Sequence, residues 1–511
     1  MASNGSRITN NVRYPALDAL LLFFLLNLAL QPLVEPDFGW HLRTGLDLLK
    51  TGGQLPATDP YSHTMPDWPW VEHAWLTDAL IGLIYAGLGS AGPLGVILLL
   101  AGVTAAAFFV AAGLAHAGRT HRLLAISGAL WAALPFLGAR TQLVTLLGLA
   151  AVLWVCDRYL TKRLTHLWAL PPLFLLWANL HGGFTAGLFA LSLILLISAA
   201  ARLAVSYWPS LANRLNEPTM AWPQIRHLAL MIGVCTLLTL LNPYGWRLYG
   251  ELYTSLTDRF MIETLHEWQP VSLQSRAGVT YVGYLAGLGL AALFLYRRIE
   301  PVRWIILVVF LGLSLRHWRN VLFFLLVSVP LWAELLAELT ARVTARFPIV
   351  MQHSKRWLLA ATLAAGLGVG ILGPDHLERV VQSGLAPAEF FRGTEYPIEA
   401  VQWIHTHRDK LGTRLYNNYG LGGFLLWWLP EEKIFIDGRM PAWRMGDRRI
   451  FYDYIALTNW DPPALGVLRK YSVDWAIVGR GTPLEGALGN QHEWQRVYED
   501  TKVVIYVRHS A

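Results

Sequence analysis

Long apolar segments recur through the first three quarters of the sequence, and they restrict the fold more than any other feature. A helix that crosses a bilayer needs about 20 mainly apolar residues, and many segments reach or approach that length. Of the 511 residues, 54% are hydrophobic and 15% are charged, whereas soluble domains carry about 25% charged residues. The sequence therefore predicts an all-α transmembrane bundle.

The bundle is predicted to contain about eleven spans. The first, Ala16–Val34, is interpreted as a retained helix because no clear small-residue cleavage site follows it. The other predicted spans, in chain order, are Leu94–Leu114, Leu123–Leu137, Leu143–Cys156, Leu167–Leu180, Phe184–Val205, Leu228–Leu241, Val279–Tyr296, Trp304–Leu315, Val321–Leu336 and Trp357–Leu372.

One short apolar segment, Leu76–Leu88, decides the predicted orientation. It has only about thirteen residues, with Asp78 near its start, which favours an interfacial helix over a span. With a cytoplasmic N-terminus, that choice places about twice as many Lys and Arg inside as outside before residue 375, and a spanning segment reverses the ratio. The positive-inside rule therefore places the part after the last span on the outer face.

The chain is predicted to have two domains. Residues 1–374 form the transmembrane domain, whose first outer loop, residues 35–93, contains the interfacial helix at residues 76–88. Residues 375–511 have mixed polarity and strand-like runs such as Lys433–Ile436 and Val503–Val507. They are interpreted as a small extracytoplasmic α/β domain.

Composition excludes several other classes of function. Cys156 and Cys235 lie in apolar runs and support no disulfide framework, zinc motif or haem motif. The net charge of +7 does not indicate nucleic-acid binding, because the basic residues are scattered at helix ends. No cofactor is indicated with certainty. A divalent metal remains possible at Glu72-His73 or His266-Glu267, although neither pair has zinc-type spacing.

The conspicuous polar residues gather on the predicted outer face, and ionisable groups at membrane depth are candidates for function. A carboxylate there can act as general base on an acceptor hydroxyl, and arginines can hold a phosphate. Asp37 is the preferred base because it directly follows the first helix; Glu72 and Asp59 remain alternatives. Arg316 and Arg319, three residues apart at a helix end, are expected to share one face.

The remaining candidates are assigned by side-chain chemistry. Donor or phosphate binding is predicted for Arg316, Arg319, Arg140, His41 and His181. Contacts with the sugar or the acceptor are predicted for Tyr61, Trp70, His73, Tyr244, Glu267, Trp268, Trp318, Asn418, Asp437 and Arg439.

Structural explanations compete with several of these assignments. Asp37 could cap a helix, and Asp59 could form a turn before proline. Arg316 and Arg319 could be interface anchors. His181 could be a hydrogen-bonded loop histidine, and Asp437-Gly438 could close a tight turn.

The first helix, the acidic first outer loop, the surface helix and the number of spans resemble the C-type membrane glycosyltransferase (GT-C) superfamily. That superfamily includes protein O-mannosyltransferases, the lipid A aminoarabinose transferase and the oligosaccharyltransferase catalytic subunit. The resemblance implies a catalytic aspartate in the first outer loop, at Asp37, and a polyprenyl-phosphate-linked sugar as donor.

The chain also resembles a group of bacterial multi-pass membrane proteins that are assigned only loosely to glycosyl transfer. The matching residues are Pro36 to His41, Trp177 to Gly182, Asn242 to Gly245, Arg316 to Asn320 and Phe435 to Arg439. This resemblance implies a multi-pass protein of a bacterial inner (plasma) membrane. Residues Asn417 to Gly420 are similar to the Trp-Trp-Asp-Tyr-Gly element of oligosaccharyltransferases, but Asn418 stands where that element has its aspartate.

The leading hypothesis is a glycosyltransferase that uses a polyprenyl-phosphate-linked sugar, membrane lipid and an envelope acceptor, with no nucleic acid involved. A transporter of lipid-linked saccharide is one alternative, although it would need polar residues through the bilayer depth. A non-catalytic assembly protein for envelope polysaccharide is another.

Overall fold

The computed structural model describes residues 15–208, 220–295, 301–346, 375–459 and 464–509. The described part of the chain before residue 347 is mainly helical. Its helices are α1 (Pro15–Ala29), α2 (Phe38–Lys50), α3 (Trp75–Gly87), α4 (Gly92–Ala112), α5 (Arg119–Ala133), α6 (Leu143–Leu160), α7 (Leu170–Leu180), α8 (Phe184–Tyr207), α9 (Trp222–Leu238), α10 (Arg247–Thr257), α11 (Arg259–Thr264), α12 (Arg276–Leu295), α13 (Pro301–Arg316) and α14 (Val321–Arg346).

Within the described ranges, four helical segments are long and apolar enough to cross a membrane by themselves. They are Gly89–Ala112, Leu143–Leu160, Phe184–Tyr207 and Trp318–Val343. Most other predicted spans coincide with shorter apolar helices, so the count of about eleven is not confirmed. The predicted span Trp357–Leu372 lies outside the described residues.

Large apolar side chains cover the outside of this helical part. Phe23, Leu196 and Leu293 are 64%, 66% and 72% exposed. Soluble proteins rarely expose apolar patches on this scale, whereas lipid tails solvate them without cost. The helical part is therefore a multi-pass membrane structure.

The short helix α3 packs along α2 rather than extending to a membrane-spanning length. It covers 13 residues, as the segment Leu76–Leu88 predicts. The two helices approach closely because Gly45 of α2 meets the backbone of Asp78, and Gly82 of α3 meets the backbone of Gly45. A Cβ at either glycine would overlap backbone atoms of the other helix. This close contact places Asp78 of α3 directly beside α2.

The C-terminal part combines short helices with one sheet. Its helices are α15 (Pro387–Arg392), α16 (Ile398–Thr406), α17 (Gly422–Trp428), α18 (Ile450–Thr458), α19 (Ala464–Lys470) and α20 (Pro483–Gly489). Its strands are β1 (Leu415–Tyr416), β2 (Trp475–Gly479), β3 (Trp494–Glu499) and β4 (Val503–Arg508), in the order β1-β2-β4-β3. The β1–β2 pair is parallel, and β4 pairs antiparallel with both β2 and β3.

The predicted strand Val503–Val507 is confirmed as β4, but the predicted strand Lys433–Ile436 is wrong. That segment makes only an isolated bridge, between Ile434 and Ser62. Side chains satisfy other backbone groups of this segment: Asn417 Oδ1 accepts from Phe435 N at 2.8 Å, Asn417 Nδ2 donates to Ile436 O at 2.8 Å, and Thr64 Oγ1 donates to Phe435 O at 2.7 Å. Since the backbone is satisfied by a side chain, no neighbouring strand is needed.

The first loop packs into the C-terminal part. Met65 is buried among side chains of β2 and β4, and Tyr61 and Trp70 are buried with Phe424 and Leu425 of α17. The N-terminus of α2 meets that of α17 so closely that a Cβ at Gly39 would overlap the carbonyl of Gly423. This contact brings Asp37 to the segment that follows Ile436.

Candidate functional site

Asp37 stands at the N-terminus of α2, but its side chain does not cap the helix. Its Oδ1 accepts a hydrogen bond from Trp40 Nε1 at 3.2 Å instead. The carboxylate lies against Gly438, where a Cβ would overlap Oδ1. The capping explanation for Asp37 is therefore excluded, and its half-buried carboxylate keeps capacity for another partner.

Burial raises the pKa of Asp37 to about 6, and the negative charge of Glu35 adds to the rise. The charges of Arg140 and His41 act in the opposite direction. A carboxyl group with this pKa is still mostly ionised at neutral pH, yet it is a stronger base than an ordinary aspartate.

Two arginines from different loops converge on one carboxylate beside Asp37. Arg140 Nε pairs with Glu35 Oε2 at 2.7 Å, and its Nη1 lies 3.5 Å from Glu267 Oε2. Arg319 Nη1 lies 3.4 Å from Glu267 Oε1. Since the side chains of Arg140, Arg319 and Glu267 are 33%, 30% and 37% exposed, these charged groups are open to a ligand.

The expectation that Arg316 and Arg319 share one helix face is not met. Helix α13 ends at Arg316, His317 is extended, and Trp318–Asn320 form a separate 3-10 turn. Arg316 is exposed, whereas Arg319 places its guanidinium over the Trp268 ring, 4.4 Å from the centroid. The break in the helix directs the two side chains differently because the three-residue spacing applies only to a continuous helix.

Arg439 joins the first loop to the C-terminal part through a buried charge cluster. Its Nη1 donates to Asp59 Oδ1 at 2.8 Å, and its Nη2 donates to Asp437 Oδ2 at 2.6 Å. The guanidinium also lies 5.1 Å and 5.3 Å from the ring centroids of Tyr61 and Trp70. These five groups are buried, which favours a positioning role over direct contact with a sugar.

Asp59 has little capacity left for acid–base chemistry. Besides the bond from Arg439, its carboxylate accepts from the backbone N–H of Tyr61 at 3.3 Å and of Ser62 at 2.9 Å. This is the turn that the structural explanation predicts. Asp437 likewise accepts from Arg439 N at 3.0 Å, so it organises the turn that holds Gly438 against Asp37.

A second cluster lies between α2 and α3. His41 Nδ1 is 2.7 Å from Asp78 Oδ1, and its Nε2 is 3.2 Å from Thr141 Oγ1. Buried Glu72 accepts from Ala74 N at 3.0 Å. Burial raises the pKa of Glu72 to about 8 and lowers the pKa of His41 to about 4. His41, Glu72 and Asp78 are the group of potential metal ligands that the described residues bring together.

The other predicted histidines lie next to this cluster. The ring centroids of His73 and His181 are 5.2 Å apart, and those of His73 and His41 are 6.4 Å apart. His181 Nδ1 accepts from Gly183 N at 2.9 Å and lies 2.9 Å from Thr145 Oγ1. His181 is thus a hydrogen-bonded loop histidine, as the structural explanation predicts.

The aromatic residues predicted to contact sugar lie in two places, near Arg319 and beside the first loop. Trp268 is buried beneath Arg319, and Trp318 packs on Phe136 with ring centroids 4.5 Å apart. Tyr244 packs between the helical core and the cluster around Tyr61 and Trp70. The amide of Asn418 lies against Gly479 at the end of β2.

Sequence reasoning missed several residues that the structure brings to this site. Glu35 pairs with Arg140, Thr141 contacts His41, and Gly438 lies against Asp37. Tyr419 is held where Asp37, Glu267 and Asp437 act on it, and burial together with their charges raises its pKa. Glu35 is visible in the sequence as the acidic residue with which the first loop begins. Thr141 carries no signal in a single sequence, whereas Tyr419 and Gly438 lie in segments that the sequence marks by resemblance or as a turn.

This arrangement, a helical membrane part joined to a small C-terminal part with one sheet, matches the fold of solved structures of another membrane protein. Solved structures of the archaeal oligosaccharyltransferase from Archaeoglobus fulgidus share it. Its complex with an inhibitory peptide and a dolichol-phosphate matches with a TM-score of 0.54 and 12% identity, over 91% of this chain and 69% of that chain.

A second structure of the Archaeoglobus fulgidus enzyme is tethered to an acceptor peptide that contains the NVT sequon. It matches with a TM-score of 0.51 and 12% identity, over 97% of this chain and 74% of that chain. No family model and no curated protein matches the sequence. At 12% identity the comparison establishes the fold, and the activity has to be argued from the residues of this chain.

Proposed function

We propose that the protein is a membrane glycosyltransferase that moves a sugar from a polyprenyl-phosphate-linked donor to an envelope acceptor on the outer face of a bacterial inner membrane. The acceptor is a hydroxyl-bearing glycan, lipid or protein. The observation that carries the proposal is the carboxylate of Asp37, which does not cap its helix and lies near Arg140 and Glu267. Arg140 and Arg319 both contact Glu267.

Asp37 is the group best placed to act as general base. It is half-buried, its carboxylate is held by Trp40 and Gly438, and its pKa of about 6 leaves it ionised at neutral pH. The alternatives are less suitable. Asp59 is bound by Arg439 and two backbone N–H groups, and Glu72 is buried beside His41 and Asp78.

Arg140 and Arg319 are the groups best placed to bind the donor phosphate. Both contact Glu267 at 3.4–3.5 Å, which is longer than a strong charge-assisted hydrogen bond of about 2.7–2.9 Å. A phosphate between the guanidinium groups offers more oxygen acceptors than this one carboxylate. The arginines would also stabilise the charge that develops on the departing phosphate.

The reaction is a single displacement. Asp37 accepts the proton of the acceptor hydroxyl while the oxygen attacks the anomeric carbon of the sugar. The bond between that carbon and the phosphate oxygen breaks, and the polyprenyl phosphate leaves with the electron pair. Attack from the side opposite the leaving group inverts the configuration at the anomeric carbon.

The remaining groups supply position and shape. The guanidinium of Arg319 lies over the ring of Trp268. Trp318, in the same 3-10 turn as Arg319, adds an apolar surface for a sugar or a lipid head. The buried cluster of Arg439, Asp59 and Asp437 holds the turn at Gly438 against Asp37. The residues after 374 would act as the extracytoplasmic domain that completes the site.

The proposal is tested by offering radiolabelled polyprenyl-phosphate sugars and an envelope extract to the purified full-length protein. Wild type should transfer label to the extract, and Asp37→Asn should lower transfer about 10²–10⁴-fold. Asp67→Asn is the matched control, because Asp67 belongs to the same loop and its side chain is 69% exposed. Absence of both transfer and donor hydrolysis in wild type, across the donor panel, would contradict the proposal and favour a transporter or an assembly protein.

A further inference from the structure

Three potential metal ligands meet in the buried contact between α2, α3 and the first loop. His41, Glu72 and Asp78 each offer one ligand atom, and these atoms lie within 4.8 Å of one another. The three residues are 5%, 3% and 0% exposed. They come from separate segments, so the fold itself assembles the group.

The cluster holds two buried carboxylates with little positive charge to balance them. Across the described ranges, the ion pairs of Asp78 and Glu72 are with His41 and His73. The buried guanidinium of Arg439 is already engaged by Asp59 and Asp437. Asp78 Oδ2 is buried without a hydrogen-bond partner in the described structure. Such an atom is costly unless a cation or a proton compensates it.

The hydrogen bonds that orient His41 and Glu72 are of the kind that metal ligands require. The other ring nitrogen of a metal-bound histidine usually donates to an oxygen, and His41 Nε2 lies 3.2 Å from Thr141 Oγ1. Glu72 is oriented by the N–H of Ala74 at 3.0 Å. These contacts leave His41 Nδ1 and the inner carboxylate oxygens facing one another, with Nδ1 hydrogen-bonded to Asp78 Oδ1.

The ligand atoms of His41 and Asp78 stand closer together than two ligands of one bound ion would. His41 Nδ1 and Asp78 Oδ1 are 2.7 Å apart. Two ligands bound at ~2.0–2.2 Å in tetrahedral geometry are ~3.4 Å apart. A small separation of the two side chains therefore admits an ion. One imidazole and two carboxylates suit Zn²⁺ or Mn²⁺, whereas Mg²⁺ keeps several waters that a dry cluster cannot hold.

We propose that His41, Glu72 and Asp78 bind one divalent transition-metal ion, Zn²⁺ or Mn²⁺, that fastens α2 to α3. The ion would stand one helical turn along α2 from Asp37 and would be independent of the arginine site. Its role would be to hold the helix that carries Asp37. The inference goes beyond the proposed glycosyl transfer, because metal binding is measured without any substrate.

Metal content provides the test. Full-length protein would be stripped with a chelator, incubated with ZnCl₂ or MnCl₂, desalted and analysed by elemental mass spectrometry. Wild type should retain about one ion per chain and gain thermal stability on reloading. Asp78→Asn and Glu72→Gln should bind at least about tenfold more weakly. Asp67→Asn and Asp37→Asn should bind as wild type does.

Two results would overturn the proposal. The first is wild-type protein that neither retains Zn²⁺ or Mn²⁺ nor gains thermal stability, because the cluster then shares protons instead. The second is Asp78→Asn binding as tightly as wild type. If the variants fail to fold, X-ray absorption of the loaded wild type decides, since the site requires nitrogen and oxygen ligands with one imidazole and no sulfur.

Discussion

At the scale of single residues, the carboxylate of Asp37 is the group on which the proposed chemistry depends. Its Oδ1 accepts a hydrogen bond from Trp40, and burial together with the charge of Glu35 raises its pKa to about 6. The sequence alone indicated Asp37 through its place after the first helix. It could not exclude helix capping, because capping depends on side-chain geometry.

The pKa of Asp37 makes the pH profile informative. A base with a pKa of about 6 is protonated below that pH, so kcat/KM for transfer should fall about tenfold per pH unit under pH 6 and level off above it. Glu35→Gln removes a negative charge that raises this pKa, and the acidic limb should therefore move to lower pH. An acidic limb that stays in place or moves upward in Glu35→Gln would contradict the assignment.

The position of the Asp37 carboxylate is expected to depend on Gly438 as much as on a hydrogen-bond partner. A Cβ there would overlap Asp37 Oδ1, so Gly438→Ala should displace the carboxylate, lower transfer and cost about 1–3 kcal/mol of unfolding free energy. Gly420→Ala is the control, since a Cβ at Gly420 meets nothing within 4 Å. Transfer rates and thermal unfolding measure both effects. Equal behaviour of the two variants would show that the contact is unimportant.

At the scale of structural elements, the ends of helices decide which side chains meet. The sequence predicted helices at nearly all the described apolar segments, since apolar length is a strong signal. It placed Arg316 and Arg319 on one face because nothing marked the end of α13 at Arg316. It also predicted a strand at Lys433–Ile436, where the side chain of Asn417 replaces a neighbouring strand. Both errors arise from tertiary contacts that local patterns do not contain.

Because α13 ends at Arg316, we expect Arg316 and Arg319 to contribute unequally to donor binding. Arg319→Ala should weaken donor binding about 10–100-fold, because a charge-assisted contact with phosphate contributes about 1.5–3 kcal/mol. Arg316→Ala should change it less than about twofold, since the Arg316 side chain is exposed at the end of α13. Binding of a polyprenyl-phosphate sugar to the purified variants would be compared. A larger loss in Arg316→Ala would contradict this description of the site.

At the scale of the whole molecule, the site is completed by segments far apart in the sequence. The first loop contributes Asp37, the loops after α5 and α13 contribute Arg140 and Arg319, and the C-terminal part contributes Gly438. The sequence predicted the membrane fold and the gathering of polar residues on one face. It did not predict that the first loop would be buried in the C-terminal part, because that contact depends on glycines such as Gly39 and Gly423.

The proposed orientation has a direct test. If α3 lies on the membrane and the N-terminus is cytoplasmic, a reporter fused after Ala511 should be active only outside the cytoplasm. A second fusion, in the connection between α5 and α6 that contains Arg140, should report from the same side. Activity of either reporter in the cytoplasm would contradict the proposed location of the site on the outer face.

The most direct test of the central claim compares binding with turnover in Asp37→Asn. If Asp37 is the base and the arginines bind the donor, the variant should bind a polyprenyl-phosphate sugar within about threefold of wild type, while single-turnover transfer falls at least about 10²-fold. Transfer by Asp37→Asn at the wild-type rate, with donor binding also unchanged, would contradict the assignment of Asp37.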